Sequence, residues 1–330
     1  MRYRLFYERI LYMTRRILEI LKNGNKYISG EKISNELGIS RNAVWKHINK
    51  LRQEGYEIES VTNRGYRLVG RRDIINGEII KEGLQTEFIG KNIVYYDEID
   101  STNNAAKRES GMADGTLFIS EIQTSGKGRL GRSWSSPKGD GIWMSILLKP
   151  ELMPMQVSQI TLVAGMAVAI AIGGAAKIKW PNDIVIGTKK ICGILTEMSA
   201  EIERVNYVVC GIGINVNTAI FDDELSDKAT SLYIETGKKY CRADIIRRVL
   251  TVFERLYKSF CANGISAILG EYRKLCITLN KEVSIVYNNK TYQGRAVDID
   301  NEGNLIVETE GERRTVHSGE VSVRGIYGYI

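Results

Sequence analysis

The sequence predicts an α+β chain: a basic helical module with a β-hairpin, a body of alternating strands and helices, and a final run of short strands. Three observations carry this. Charge is lopsided, with 16 Lys/Arg against 7 Asp/Glu in residues 1–72 and 30 against 32 in the remainder. Apolar residues recur at helical spacing as far as Glu54 and mostly in strand-like runs beyond it. Between two of those runs lies Ser125–Trp134, SGKGRLGRSW, with three glycines and three cations in ten residues. At 330 residues the chain is comfortable for two or three domains. Its 43% hydrophobic and 26% charged residues fit a globular protein rather than a disordered one.

Thr14 to Leu21 reads as a short helix with Ile17, Leu18 and Leu21 on one face. Ser29 to Leu37 reads as a second, stopped by Gly38. Ser40 caps a third, Arg41 to Glu54, whose Val44, Ile48 and Leu51 have the spacing for burial. Arg41, Asn42, Trp45, Lys46, Asn49 and Lys50 then point mostly outward, a set rich in donors for phosphates and base edges. Glu57–Val61 and Tyr66–Val69 form a hairpin around Asn63-Arg64-Gly65, with Arg64 at its cationic tip. Helix-turn-helix plus basic hairpin resembles a winged helix, and a net charge of +9 on residues 1–72 points to a polyanion, DNA, rather than to the alternative of a small protein–protein module with a solvated charged face. Met1–Tyr12 is cationic and aromatic without a small-residue cleavage site. It reads as a helical extension of about 13 residues, or as a start placed ahead of the real one at Met13.

Gly70 to Asp73 reads as a linker and Asn76 to Leu84 as a helix. Strand Ile93–Tyr96 leads to Ser101, Thr102 and Asn103 at a helix start, where hydroxyls, an amide and free N–H groups gather; helix capping alone needs only one of them. A helix over Asn104–Glu109 and a strand over Leu117–Gln123 follow, then the glycine-cation loop. Gly126, Gly128 and Gly131 let the backbone approach a ligand, and Lys127, Arg129 and Arg132 bring charge suited to a carboxylate or phosphate. The same glycines satisfy GxGxxG, but that fingerprint needs a helix next, and here Ser135, Ser136 and Pro137 precede the strand-like run Ile142–Leu148.

Ile160–Ala176 is apolar but Ala/Gly-rich and short for a membrane span, so a buried helix is expected and no membrane association. In Lys177–Asp183, Pro181 stops a strand and Asn182-Asp183 turns the chain; Asp183 could serve Mg²⁺ or merely the turn. Lys189–Glu197 is a lysine pair entering a buried strand, and Val208–Asn217 sets two glycines and two asparagines in an apolar wall. Five scattered cysteines without CxxC, and two histidines, argue against a thiolate or imidazole metal site and for a reducing cytoplasm.

GKGRLGRSW, KWPND, KKICGIL and GIGINVN, in this order and spacing, resemble the biotin–protein ligases. With its winged-helix front the chain is similar to the bifunctional form, which is also a biotin operon repressor; the likeness runs from about Thr14 to Val323. It implies an N-terminal winged helix-turn-helix (residues 1–72), a central mixed β-sheet with helices of class II synthetase-like type (73–276) and a C-terminal SH3-like β-barrel (277–330). The runs Val283–Val286, Thr291–Val297, Leu305–Thr309 and Glu312–Val316, split by Asn288-Asn289, Asn301-Glu302-Gly303 and Gly311, suit the last part.

The resemblance also implies two half-reactions. Biotin and MgATP give biotinyl-5′-AMP and pyrophosphate, and a lysine of a biotin carboxyl carrier protein then takes the biotin. Ser101, Thr102, Asn103 and Gln123 would bind the biotin ring and ureido group, with Gly211 in the pocket wall. Lys127, Gly128 and Arg129 would lie along the carboxylate and α-phosphate, and Lys190 and Arg132 would stabilise phosphate charge. Asp183 would hold Mg²⁺, and Trp134 and Asn215 would contact adenine. The family usually has arginine where this chain has Lys127, so the charge survives but not the bidentate fork. Asn217–Leu232 resembles a loop that orders over the adenylate, and the adenylate-loaded protein would dimerise on a palindromic operator. A lipoyl-protein ligase and a non-enzymatic winged-helix regulator sensing a small acid are the rival readings.

Overall fold

The computed structural model describes residues 2–23, 26–53, 55–71, 73–287, 290–309, 311–318 and 322–325. The expected helix end at Glu54 and the turn at Asn288-Asn289 lie outside them. The chain forms two compact units, Met1–Ile74 and Ile75–Ile330.

The first unit contains α1 (Arg2–Asn23), α2 (Gly30–Leu37), α3 (Arg41–Gln53), β1 (Tyr56–Val61) and β2 (Gly65–Arg71). Ser29 caps α2 by accepting from Lys32 N at 3.1 Å, and Gly38 ends it in the left-handed region. Ser40 Oγ accepts from Ala43 N at 3.2 Å and starts α3. Ile17, Leu21, Ile33, Val44, Ile48 and Leu51 close one core, as their helical spacing requires. Helix α1 begins at Arg2, so the expected helical extension and the Thr14–Leu21 helix are one element, since nothing in the preceding stretch breaks a helix. Strand β2 continues to Arg71, because Glu57 and Tyr56 still pair with Gly70 and Arg71, so the linker is shorter than Gly70–Asp73.

The second unit opens with α4 (Gly77–Lys81), β3 (Ile93–Ile99), α5 (Thr102–Arg108), β4 (Leu117–Gln123), β5 (Gly141–Leu148) and α6 (Val157–Ile172). Strands β6 (Lys177–Lys179), β7 (Asp183–Ile186), β8 (Lys189–Ala200) and β9 (Val205–Asn215) follow, then helices α7 (Asp223–Ser226), α8 (Leu232–Thr236), α9 (Arg242–Asn263) and α10 (Ser266–Leu275). The strands form a seven-stranded mixed sheet ordered β3-β4-β5-β9-β8-β7-β6, parallel only between β3 and β4. One face packs α5 through Ala105, Ala106, Phe118, Leu147 and Val209. The other packs α6, whose Gly165 sits against Ile178, Ile184 and Ile194.

Helix α6 stops at Ile172, short of the expected Ala176, because Gly173 and Gly174 both take positive φ. With its leading turn it is long and apolar enough to cross a membrane by length and composition, yet 67% of that stretch is buried within the protein. A bidentate ion pair between Arg242 and Glu121 (2.9 and 3.0 Å) is also buried, and the guanidinium gives a third bond to Gly141 O.

Strands β10 (Glu282–Tyr287), β11 (Lys290–Ile299), β12 (Leu305–Thr309), β13 (Glu312–Val316) and β14 (Ser322–Gly325) make a five-stranded antiparallel sheet ordered β13-β12-β11-β10-β14. It is tied to the mixed sheet by Ile277 N donating to Ile178 O (2.8 Å) and Trp180 Nε1 donating to Gly303 O (3.1 Å).

Candidate active site

The face of the mixed sheet that carries α5 also carries a cleft of about 460 Å³ that opens to solvent. Glycines make the room for it. Gly193 of β8 and Gly213 of β9 are cross-strand partners. A Cβ on Gly213 would come within 2.6 Å of Trp134 Nε1, and one on Gly193 within 2.9 Å of its ring, so Trp134 lies against bare backbone. A Cβ on Gly211 would meet Asn103 Oδ1 at 2.2 Å.

Ser101, Thr102 and Asn103 line one end of the cleft with Gln123 and Gly211. Ser101 is the N-cap residue of α5, but its side chain does not cap the helix. The Thr102 N–H instead goes to Gln123 Oε1 at 2.8 Å, and Gln123 Nε2 donates to Ser136 Oγ at 2.8 Å. Beneath them Ser145 Oγ sits 2.7 Å from Thr102 Oγ1 and 2.6 Å from Asn103 Oδ1, with one proton for two acceptors. Asn103 Nδ2 donates to Glu197 Oε2 (2.8 Å), and Lys107 Nζ donates to Glu197 Oε1 (2.5 Å). Burial pushes the Glu197 pKa up, but the bonds from Lys107 and Asn103 outweigh it and hold the carboxyl below its ordinary value.

The other end is cationic. Residues Gly126–Trp134 form a tight loop, closed by Gly128 N donating to Arg132 O (2.7 Å) and Trp134 N to Gly126 O (2.9 Å). At its tip Leu130 has φ 56°, a left-handed conformation that costs a non-glycine residue about 1–3 kcal/mol. Lys127, Gly128 and Arg129 line the cleft. Lys127 Nζ donates to Asn104 Oδ1 at 2.8 Å. Arg129 donates to Asn182 Oδ1 (2.9 Å) and to Ser318 O, in the loop after β13 (2.5 Å). Burial pulls the Arg129 pKa down, Asp183 offsets part of this, and Arg132 adds to the fall. Lys190 Nζ also reaches the cleft, 5.1 Å from the Trp134 ring and 2.6 Å from Asp183 Oδ1.

Arg132, Asp183 and Asn215 are not in the cleft wall. Arg132 is exposed beside it, Asp183 stands behind Lys190, and buried Asn215 donates to Thr230 O at 3.1 Å. The Asn217–Leu232 segment is pinned to β8 as Lys190 N donates to Lys228 O and Thr230 N to Lys190 O (2.8 and 2.9 Å).

A family model described as the Biotin/lipoate A/B protein ligase family matches residues 95–215. An HTH domain model matches 14–67, and a Biotin protein ligase C terminal domain model matches 278–324. The bifunctional ligase/repressor BirA of Bacillus subtilis is 42% identical over 308 residues, covering 91% of this chain and 95% of that one. The chain belongs to the biotin–protein ligases. The Escherichia coli bifunctional ligase/repressor BirA is 29% identical over 94% of this ligase and 96% of its own length. A solved biotin protein ligase from Aquifex aeolicus, in complex with biotin and ATP, superposes with a TM-score of 0.64 at 32% identity, over 71% of this ligase and 99% of that chain.

Sequence reasoning missed several residues of this ligase's cleft. Ser145 could have been noticed as the one polar residue in the apolar strand IWMSILL, and Glu197 as a carboxylate in the buried strand after KKICGIL. Asn182 and Gly193 lie inside quoted motifs, yet only the fold reveals their contacts with Arg129 and Trp134. Ser318 carries no sequence signal. In the N-terminal unit, Arg41, Asn42, Trp45 and Lys46 are exposed along α3, Asn49 and Lys50 are half-buried, and Arg64 is exposed at the hairpin tip. Arg41 pairs with Glu31 at 2.8 Å.

Proposed function

We propose that this ligase forms biotinyl-5′-AMP from biotin and ATP, transfers biotin to a lysine of a biotin carboxyl carrier protein, and represses biotin operon transcription with the adenylate as corepressor. The observation that carries the reading is one cleft with a neutral hydrogen-bonding end (Ser101, Thr102, Asn103, Gln123) and a cationic end (Lys127, Arg129, Lys190). A bicyclic urea with a carboxylate tail needs that polarity.

The neutral end orients biotin, and Asn103 is fixed there by Glu197, Ser145 and Gly211. Two anions, carboxylate and triphosphate, must then meet in line. Lys127, Arg129 and the loop amides offset their repulsion, and Lys190 gains its strongest contact as charge grows on the phosphate. Arg132 aids the triphosphate from the rim. Trp134 contacts adenine; in support, its Nε1–H is buried without an acceptor among the described residues, whereas Asn215, whose amide is held by Thr230, supports the wall from behind.

Among the described residues no cluster of three or more His, Cys, Asp or Glu could hold a metal. Mg²⁺ needs none when phosphates supply ligands, and Asp183, beside Lys190 at the cationic end, fits it. Mg²⁺ would neutralise phosphate charge. Arg41, Asn42, Trp45, Lys46, Asn49, Lys50 and Arg64 read operator DNA as part of a homodimer, in the cytoplasm.

ATP–pyrophosphate exchange driven by biotin, with lipoate in parallel, tests the reading. Exchange with biotin alone supports it. Exchange with lipoate makes the protein a lipoyl ligase, and exchange with neither acid makes the body a sensor.

A further inference from the structure

The residue that aims the wing is not on the wing. Tyr27 lies in the connector between α1 and α2. Its hydroxyl donates to Glu59 Oε2 of β1 at 2.6 Å, and Arg67 Nη2 of β2 donates to the same oxygen at 2.8 Å. The guanidinium carbons of Arg64 and Arg67 lie 5.3 and 4.8 Å from the Tyr27 ring centroid, within cation–π range.

The backbone reinforces this. Ile28 and Tyr66 exchange two hydrogen bonds of 2.8 Å, fastening the hairpin to the connector beside Tyr27. Gly65, at φ +100°, presses so close that a Cβ would meet Ile28 O at 2.1 Å. Asn63, at φ 64°, turns the tip that carries Arg64. Two guanidinium groups three residues apart on one hairpin repel each other. A π face and a carboxylate supplied from outside the turn offset that repulsion and limit the directions the cations can take.

We infer that Tyr27, with Glu59, is a positioning residue that fixes the two wing arginines so that Arg64 meets a DNA phosphate. This rests on the reading of Arg64 as a DNA contact and assigns the side chains that make it one. A phosphate contact is independent of sequence, so its signature is the salt dependence of binding, where each neutralised phosphate contributes about 0.9 to the slope of log K against log salt.

The experiment uses the full chain with biotin, ATP and Mg²⁺, and a random-sequence DNA duplex of about 40 base pairs, long enough for two half-sites. Affinity is measured across a salt series for Tyr27→Leu, Tyr27→Phe, Glu59→Gln, Arg64→Ala and the double variant Tyr27→Leu/Arg64→Ala. Tyr27→Leu and Arg64→Ala are each expected to weaken binding about threefold to tenfold and to lower the slope by about 1.8, one phosphate being lost by each protomer of the dimer. The double variant should bind no worse than Arg64→Ala alone. Tyr27→Phe and Glu59→Gln, which keep the ring, should fall between wild type and Tyr27→Leu, and they carry the test if the leucine variant fails to fold. Losses that add in the double variant overturn the proposal, as does wild-type binding by Tyr27→Leu (or, if that variant fails to fold, by both Tyr27→Phe and Glu59→Gln) beside a weakened Arg64→Ala. Wild-type binding by Arg64→Ala overturns the underlying reading as well, and is told apart by that variant alone.

Discussion

Lys190 Nζ is held 2.6 Å from Asp183 Oδ1, so the two residues assigned to phosphate and metal neutralise each other before substrate arrives. Both side chains are largely buried, at 22% and 14% exposure, which keeps the pair from being screened by water. The Lys190 ammonium carries three N–H donors, so it can meet a phosphate while Asp183 holds it in place. Lys190→Ala is expected to abolish biotin-dependent pyrophosphate exchange while leaving biotin affinity within about tenfold, because a contact made in the transition state costs rate rather than ground-state binding. Calorimetry with biotin checks this, and outright loss of binding would give Lys190 a ground-state role instead.

Gly211 faces Asn103 so closely that a methyl group would sit 2.2 Å from Asn103 Oδ1. Gly211→Ala must push Asn103 off Ser145 and Glu197, which hold it at 2.6 and 2.8 Å. We expect the variant to fold and to bind biotin at least about tenfold more weakly, the equivalent of about 1.4 kcal/mol. Biotin titration by calorimetry measures it. Unchanged affinity would mean that Asn103 can move without consequence for the ligand.

Much of this was legible before the structure. The apolar spacing of Val44, Ile48 and Leu51 placed the outward set on α3, and the glycine-cation loop marked a cationic end, because cations and glycines packed into a short turn have few structural uses, whereas Lys190 and Asp183 were assigned to it only through the family resemblance. What sequence could not give was register. Gly193 opposite Gly213, with Trp134 lying on both, is a relation among three segments. Nor do residue types reveal that Arg129 is engaged by Asn182 and Ser318, nor that Asn215 spends its amide on Thr230. Local pattern reports which face is buried, and only the fold reports what lies against it.

Glu254 of α9 ties down the segment before β3. Its carboxylate accepts from the N–H groups of Glu87, Phe88 and Ile89 at 2.6, 2.9 and 2.8 Å. Burial pushes its pKa up, but the three backbone donors and Lys258 outweigh this, so it stays below the ordinary 4.5. A depressed carboxyl pKa means the unfolded chain binds more protons, so this stability is present above about pH 4.5 and is lost as pH falls through the folded value. Glu254→Gln should lower stability at neutral pH by about 1.5–3 kcal/mol and flatten the loss in acid. Denaturant melts across pH would show it; an unchanged acid limb would mean other carboxylates govern it.

Removing the chain up to Ile74 tests the domain division, with 73–276 as catalytic part and 277–330 as its C-terminal companion. Residues Ile75–Ile330 form a compact unit with their own sheet, cleft and buried Arg242–Glu121 pair. We expect the truncated protein to keep biotin-dependent pyrophosphate exchange within about threefold and to lose DNA binding, since the excess of basic residues lies in the removed unit. Exchange and duplex binding on the same preparation decide it. Loss of exchange in a folded fragment would give the winged helix a part in the ligase reaction.

Tyr272 is the opposite of Glu254: a buried polar group with nothing to bond among the described residues. It sits on α10 with its ring fully buried, and among the described residues its hydroxyl has no hydrogen-bond partner. Burial raises its pKa further, so the hydroxyl stays neutral. An unpaired buried hydroxyl costs about 1–3 kcal/mol of desolvation, while the ring's packing is retained by phenylalanine. Tyr272→Phe is therefore expected to leave stability unchanged or raise it by up to about 2 kcal/mol, read as an equal or higher midpoint in urea with the slope unaltered. A lower midpoint would show that the hydroxyl has a partner in solution, such as an enclosed water, and that α10 depends on it.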